Sequence, residues 1–241
     1  MNIIDSIKAS ILTPIHPAGI PFIAIFFVLT VIIGWFWSPL FFVGIILTVW
    51  CIYFFRNPDR VTPVLSGANK NNLIISPADG RVIEISKMNP SEEIGLPEGN
   101  WTRVCVFMNV FDVHVNRSPM LGQVTYKNYI PGSFFNASLD KASSDNERLI
   151  LGMDTENGKK IAFVQIAGLV ARRIICDVDI GSSLKAGDIF GLIRFGSRVD
   201  IYFPSDVSVM VLEGQKMIAG ETIIGDFTKS SKSVKENLDE K

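Results

Sequence analysis

The sequence predicts a mainly β protein, a sandwich-like or barrel-like domain of duplicated hairpins, preceded by an N-terminal α-helical membrane hairpin. Three observations predict this fold. No Asp, Glu, Lys or Arg occurs between Lys8 and Arg56, and hydrophobic residues make up 48% of the chain. From residue 61 onward, short runs rich in β-branched and aromatic residues are bounded by Gly, Pro and Asn. Two turn sequences within this β-rich part occur twice.

The apolar N-terminal region consists of two blocks, residues 20–37 and 40–55, which Ser38-Pro39 separates. Proline is a strong turn signal, and each block is slightly shorter than the ~20 residues that cross a hydrocarbon core. The blocks therefore predict a tight helical hairpin that anchors the chain over residues 1–60. It either spans the bilayer or enters it partway.

Basic residues flank the predicted hairpin, with Lys8 before it and Arg56 and Arg60 after it. The positive-inside rule then puts both ends, and the domain that follows, on the cytoplasmic side of the cell membrane. A buried core hairpin is the alternative, but so long an apolar stretch without a charge favours lipid. A cleaved signal peptide is disfavoured, because the span is too long and no small-residue cleavage site follows it.

The β-rich domain is predicted over residues 61–228, with one brief helix around residues 141–148. The polar tail at 229–241 predicts disorder. A net charge of −1 gives no sign of a nucleic-acid partner. The three cysteines are widely spaced and form no CxxC, which disfavours a disulfide framework or a Cys-rich zinc site.

Two pairs of repeated turns occur in this domain. SPADGRV at 76–82 is echoed at 118–124, and a G-x-x-φ-x-x-G-[DE] pattern at 181–188 is echoed at 214–221. Most of these residues are interpreted as packing residues of a duplicated hairpin. Asp79 differs, because the corresponding position of the second copy is a leucine. A carboxylate that only one copy carries is a candidate for chemistry.

The chain has 2 histidines, and His114 is the one outside the predicted membrane-anchoring segment 1–60, which contains His16. A lone histidine on a strand is more often structural than catalytic. If the domain needs a group that titrates near neutral pH, however, His114 is the candidate. A catalytic zinc ion usually takes several His, Glu or Cys ligands, so no metal is expected.

The run RFGSRVDIYFP at 194–204 has the alternation of a β-strand but is interrupted by Gly196-Ser197. Glycine permits unusual backbone angles, so the Ser197 hydroxyl can attack the preceding carbonyl in an N→O acyl shift, given a base and an oxyanion donor. β-Elimination of the resulting ester breaks the chain and leads to a pyruvoyl group. Such a group forms a Schiff base with an amine and acts as an electron sink without pyridoxal phosphate. A serine hydrolase built from Ser197, His114 and Asp79 is the alternative, although the G-x-S-x-G elbow is missing.

Four motifs in order are highly specific: FFRNPDR at 54–60, SPADGRV at 76–82, FMNVFDVHVNRSP at 107–119 and FGSRVDIYFP at 195–204. Together, behind an apolar hairpin, they resemble the short, bacterial or archaeal-type form of phosphatidylserine decarboxylase. That family is pyruvoyl-dependent and membrane-bound, and it converts phosphatidylserine to phosphatidylethanolamine and carbon dioxide in phospholipid biosynthesis. The resemblance runs from the hairpin to about residue 228.

The resemblance implies self-cleavage between Gly196 and Ser197, with Ser197 becoming the pyruvoyl group. The two chains, 1–196 and 197–241, would remain together as a heterodimer, and a higher oligomer stays open. The lipid substrate could be of diacyl or ether type. A membrane-anchored biotinyl-like or lipoyl-like carrier and a membrane-anchored serine hydrolase remain the alternatives.

Asp79 and His114 are implied as the partners that activate Ser197. Longer family members carry an H-x-x-H arrangement whose first position is Phe111 here, so the group that assists decarboxylation stays open. Three arginines are candidates for contact with the phosphate of the lipid headgroup, with snorkelling as the alternative: Arg56, Arg60 and Arg117. Because all processing candidates lie in the β-rich domain, deletion of residues 1–55 is expected to leave self-cleavage intact.

Overall fold

The computed structural model of the chain describes residues 13–65, 71–137, 142–168, 173–194 and 196–230. Strand accounts for 40% and helix for 21%, which confirms the predicted mainly β class. The chain forms two compact units. The first comprises Met1–Asp59 and Phe111–Val115, and the second comprises Arg60–Val110 and Asn116–Lys241.

The first unit is built on two apolar helices, α1 at Ile20–Phe36 and α2 at Ser38–Phe54, with a 3₁₀ turn at Pro17–Gly19 before them. A proline occupies the first turn of each α-helix, where its missing N–H is not needed. Trp37 ends α1 because its backbone is extended. The stretch from Pro17 to Phe36 is 20 residues long, which by length and composition suffices to cross a membrane.

The two helices pack against each other through small and hydroxyl-bearing residues. The hydroxyl oxygens of Thr30 and Thr48 lie 3.3 Å apart. A Cβ added at Gly44 would overlap Thr30, so glycine allows this close approach. Most large side chains point outward, as Phe42 does at 68% exposure. The outer surface of the hairpin is therefore apolar, as expected for a segment that faces lipid.

Most strands belong to the second unit. In chain order, the described strands are β1 Leu73–Ile75, β2 Gly80–Met88, β3 Trp101–Met108, β4 Val115–Arg117, β5 Gly122–Ile130, β6 Arg148–Thr155, β7 Lys160–Ala167, β8 Ile174–Cys176, β9 Ser183–Leu184, β10 Ile189–Ile193, β11 Ser197–Pro204, β12 Val207–Val209, β13 Lys216–Met217 and β14 Ile223–Ser230. The main sheet has eight strands in the order β13-β2-β3-β11-β7-β6-β5-β9 and curls into a half-barrel. Two sheets of three strands accompany it, in the orders β1-β14-β12 and β4-β10-β8.

The hairpin duplication that the repeated turns predict is present in the hydrogen bonds. The Ser76 and Ser118 hydroxyls each donate to the carbonyl two residues further on, at 2.7 and 2.8 Å. The backbone N–H of Gly220 donates to Ser76, and that of Gly187 donates to Ser118, both at 2.9 Å. The two copies therefore lie in the two halves of the main sheet, and β11 and β7 are its central pair.

Two boundaries differ from the prediction. The helix expected at 141–148 is only the four-residue α3, Ala142–Asp145, because the Asn146 side chain turns back to donate to the Phe135 and Ala167 carbonyls. Strand β14 extends to Ser230, so the first two residues of the predicted tail belong to the sheet. The rest of the tail, 231–241, and Lys8 lie outside the described residues.

Strand β11 is buried on both faces. Val199 and Ile201 pack into the main hydrophobic core. On the opposite face, Arg198 and Asp200 form an ion pair at 2.5 Å, with side chains 0% and 1% exposed. The sulfur of Cys105 on β3 lies 2.8 Å from the Arg198 guanidinium. Both partners belong to β11, so the pair neutralises buried charge within the strand, and the backbone pairing with β3 and β7 holds the beginning of β11 in the sheet.

Candidate functional site

Ser197 is the first residue of β11, in the middle of the main sheet, opposite Met108 on β3 and Ala167 on β7. Its side chain is fully buried. Its hydroxyl lies 4.0 Å from the sulfur of Met108, the one hydrogen-bond contact that it makes to a described residue. Thioether sulfur is a weak acceptor. Among the described residues, the hydroxyl therefore has no strong hydrogen-bond acceptor.

Gly196 adopts a φ of +62°, in the left-handed region that favours glycine. A Cβ added to Gly168, the residue that follows β7, would overlap the carbonyl oxygen of Gly196. The chain thus enters β11 with this carbonyl pressed against the backbone of Gly168. Gly196 therefore has an unusual backbone angle of the kind that glycine permits, whereas the preceding Phe195 lies outside the described residues.

Two buried amides near Ser197 were not predicted as site residues. Gln165 donates to the Asn116 side-chain oxygen at 2.8 Å, and both residues are almost completely buried. The Asn116 amide nitrogen lies 3.7 Å from the sulfur of Met108, which also contacts Ser197. Two signals were available: Gln165 is a single amide inside the apolar run IAFVQIAG, and Asn116 lies in the motif FMNVFDVHVNRSP.

His114 is a buried, neutral imidazole with a defined tautomer. Its Nδ1 lies 3.0 Å from the carbonyl oxygen of Asp112. Because a carbonyl only accepts hydrogen bonds, Nδ1 carries the hydrogen and Nε2 carries the lone pair. Nε2 is buried without a hydrogen-bond partner among the described residues. Burial, opposed by the Asp112 carbonyl and aided by the charge of Arg56, lowers the pKa of His114 to about 3. The ring is therefore uncharged at neutral pH, and its Nε2 carries no proton.

The loop that carries His114 is attached to the C-terminal end of α2. The ring of Phe54, the last residue of α2, lies 4.2 Å from the imidazole, centroid to centroid. Arg56 donates to the Phe111 carbonyl at 2.8 Å and to the Tyr53 carbonyl at 2.7 Å. The first unit therefore contains both the apolar hairpin and the loop that carries His114. No local sequence pattern predicts that these distant segments pack together.

Asp79 is bound by a side chain that the sequence did not link to it. A terminal nitrogen of Arg60 lies 2.9 and 2.8 Å from the two carboxylate oxygens. The backbone N–H of Ala219 also donates to Asp79, at 2.8 Å. These contacts explain why only one copy of the turn carries a carboxylate. The tautomer of His114 is fixed by the Asp112 carbonyl, and the part of Asp79 in activating Ser197 stays a prediction.

Two of the three arginines predicted to contact a phosphate lie together. A Cβ added to Gly220 would lie 3.0 Å from the Arg117 Cδ and 3.4 Å from the Arg60 Cβ. Arg117 also donates to the Gly187 carbonyl at 3.0 Å. Arg56 belongs to the first unit. All three side chains are partly exposed, and their contact with a phosphate stays a prediction.

Comparison with known proteins points to one family. The profile of the phosphatidylserine decarboxylase family matches residues 47–225, which include Ser197, His114 and Asp79. A relative from Ruegeria pomeroyi, named phosphatidylserine decarboxylase proenzyme, is 53% identical over 220 residues. The aligned region covers 91% of this chain and 98% of the relative. The comparisons give no support to the carrier and serine hydrolase alternatives.

Proposed function

Because the chain belongs to the phosphatidylserine decarboxylase family and decarboxylates phosphatidylserine to phosphatidylethanolamine, we propose that it does so through a pyruvoyl group made from its own Ser197. The observation that carries this proposal is the buried Ser197 hydroxyl beside a left-handed glycine, at the start of the central strand. The proenzyme name of the relative supports processing into chains.

Cleavage begins with an N→O acyl shift. The Ser197 oxygen attacks the carbonyl carbon of Gly196, and its proton passes to Nε2 of His114. The peptide C–N bond then breaks, the serine nitrogen takes up that proton, and an ester links Gly196 to Ser197. The neutral imidazole, with its lone pair on Nε2, supports this role for His114.

The ester is then eliminated. A base removes the α-proton of Ser197, the Cβ–Oγ bond breaks, and Gly196 leaves as a carboxylate. The resulting enamine tautomerises to an imine, and water replaces its nitrogen with release of ammonia, which leaves a pyruvoyl terminus. The small chain 197–241 begins with β11, which lies between β3 and β7. Its retention without a covalent link is supported by the backbone pairing of β11 with both of these strands and by the Arg198 guanidinium, which lies 2.8 Å from the Cys105 sulfur on β3.

The surroundings of Ser197 suit a pyruvoyl group, because the position is buried and the sulfur of Met108 is its hydrogen-bond contact among the described residues. Once formed, the group supplies an electrophilic carbonyl for the substrate amine and an electron sink for loss of carbon dioxide. Phe111, where longer relatives have a histidine, is 62% exposed and offers no proton. After carbon dioxide leaves, we propose water as the proton donor, or His114 once its Nε2 has taken up a proton.

The hairpin is proposed to anchor the enzyme in the cell membrane, with the β-rich domain on the cytoplasmic side. The length of the Pro17–Phe36 stretch and the exposed apolar side chains of both helices support insertion. Anchoring keeps a lipid headgroup at high effective concentration near the site. The neighbouring Arg60 and Arg117 are proposed to meet the phosphate of that headgroup, and Arg56 remains a further candidate for this contact.

Carbon dioxide release from vesicles of carboxyl-labelled phosphatidylserine tests this function. We expect labelled carbon dioxide and phosphatidylethanolamine, and we expect hydroxylamine, which consumes a reactive carbonyl, to abolish both. Vesicles of phosphatidylcholine serve as the control substrate. Turnover that hydroxylamine leaves unchanged would remove the pyruvoyl group from the mechanism.

Gly168→Ala is expected to slow self-cleavage by roughly 10²-fold, because the new Cβ would overlap the Gly196 carbonyl oxygen and displace the reacting bond. The rate is measured from the loss of uncut chain after pulse labelling. Gly158→Ala is the control, since it also adds a Cβ and strains the backbone of a turn, but nothing lies within 4 Å of that Cβ. Equal cleavage rates in the two variants would contradict the proposed scissile geometry.

A further inference from the structure

The motif FFRNPDR, at 54–60, takes no part in bond making or breaking, yet it contacts the surroundings of both activating residues. Phe54 lies against His114, and Arg60 holds Asp79. We propose that Phe54 is a positioning residue for His114, so that self-cleavage requires the folded apolar hairpin. This inference rests on the proposed role of His114 as the proton acceptor for Ser197.

A continuous series of aromatic rings joins both helices of the hairpin to the imidazole. The ring of Phe22 in α1 stacks on that of Phe55 at 5.6 Å. Phe55 meets Phe54 edge-on at 5.0 Å, and Phe54 lies 4.2 Å from His114 at an angle of 33°. Phe54, Phe55 and His114 are fully buried. Because close-packed rings leave little room for rotation, the position of α2 limits where the imidazole can lie.

The backbone of the histidine loop is held from the same helix end. Arg56 donates to the Phe111 carbonyl at 2.8 Å, one residue before the Asp112 carbonyl that fixes the imidazole tautomer. The segment before α1 is tied to the same place, since the N–H of His16 donates to the Phe55 carbonyl at 2.8 Å. The end of α2 therefore controls both the ring and the backbone of His114.

Loss of the Phe54 ring would open a cavity beside the imidazole. The ring would gain rotational freedom, so Nε2 would be aimed less well at every pH. Water entering the cavity would also favour the protonated ring, so below about pH 6.5 Nε2 would be occupied more often by a proton. Deletion of residues 1–55 removes both Phe54 and Phe55. This inference therefore changes the expected result of that deletion, which the sequence alone predicted to leave cleavage intact. We now expect the truncated chain to stay uncut.

The test compares full-length Phe54→Ala with Phe42→Ala, which removes the same ring type from an exposed position of the same helix. Self-cleavage rates are measured between pH 4 and pH 8 in membranes. We expect Phe54→Ala to be roughly 10-fold to 10²-fold slower, with its acid limb moved to higher pH, and Phe42→Ala to match the wild type. Phe54→Leu, which fills most of the space, should recover part of the rate.

Arg56→Gln provides a second variant that keeps the aromatic rings and removes the charged contact with the Phe111 carbonyl. It should fold and still be cleaved more slowly. Wild-type rates and an unchanged pH profile in Phe54→Ala and Arg56→Gln, while His114→Ala stays uncut, would overturn this inference and leave the proposed function standing. If His114→Ala were itself cut normally, the proposed role of His114 would fail instead.

Discussion

Ser197→Ala is expected to give a single uncut chain of 26.7 kDa with no decarboxylase activity. Without the hydroxyl there is no nucleophile for the acyl shift and no source of the pyruvoyl carbonyl. The fold should remain, because among the described residues the lost hydroxyl has a hydrogen-bond contact only with the Met108 sulfur. Removal of so weakly bonded a group should change the free energy of unfolding by less than about 1 kcal/mol.

Denaturing mass spectrometry and thermal unfolding check this prediction together. Ser205→Ala is the matched control, since it removes a partly exposed hydroxyl just beyond the other end of β11. That variant should be cut and active at the wild-type level. A Ser197→Ala protein that releases carbon dioxide would rule out the pyruvoyl mechanism, whatever its state of cleavage.

His114→Asn is expected to slow self-cleavage by ~10²–10⁴-fold, the usual effect of losing a positioned base. Asparagine retains an N–H that can donate to the Asp112 carbonyl, as Nδ1 does, but it provides no equivalent of Nε2. His16→Asn, at the other histidine of the chain, is the control and should be cut normally. Pulse labelling gives the rates, and normal cleavage of His114→Asn would exclude His114 as the base.

The lowered pKa of His114 adds a pH dependence with a definite sign. The folded protein binds this proton only near pH 3, whereas the unfolded chain binds it near the ordinary value of about 6.5. Stability from the neutral ring is therefore complete above pH 6.5 or so and is lost as the pH falls, by up to about 1.4 kcal/mol per pH unit. Compared in the uncut Ser197→Ala background, His114→Asn should show a shallower loss of unfolding free energy between pH 7 and pH 5.

Features encoded in local sequence could be predicted, and contacts between distant segments could not. Gly196-Ser197 interrupts a strand pattern, and the repeated turns indicate duplicated hairpins. Both features could therefore be recognised in the sequence alone. The Arg60–Asp79 ion pair could not be predicted, because it joins residues that are distant in sequence. The positive-inside rule already explains an arginine that follows an apolar helix. No local pattern distinguished an arginine that follows the positive-inside rule from one that binds Asp79.

The contacts of His114 could not be predicted from local sequence either. The backbone carbonyl of Asp112 fixes the tautomer of His114. Because every residue has a backbone carbonyl, the sequence does not indicate which one binds the imidazole. Its aromatic neighbour Phe54 belongs to an apolar helix in which lipid exposure accounts equally well for any phenylalanine. Gly168 likewise resembles an ordinary glycine after a strand, and only the nearby Gly196 carbonyl reveals why a side chain is excluded.

The mass spectrum of the purified, denatured wild-type protein tests the central claim most directly. It should show two chains, residues 1–196 and residues 197–241, with no covalent link between them. The small chain should be lighter by one NH₃ than the same chain beginning with serine, because a pyruvoyl group replaces the serine amine and hydroxymethyl. A single chain of 26.7 kDa in fully active protein, or a small chain that begins with an intact serine, would contradict the account.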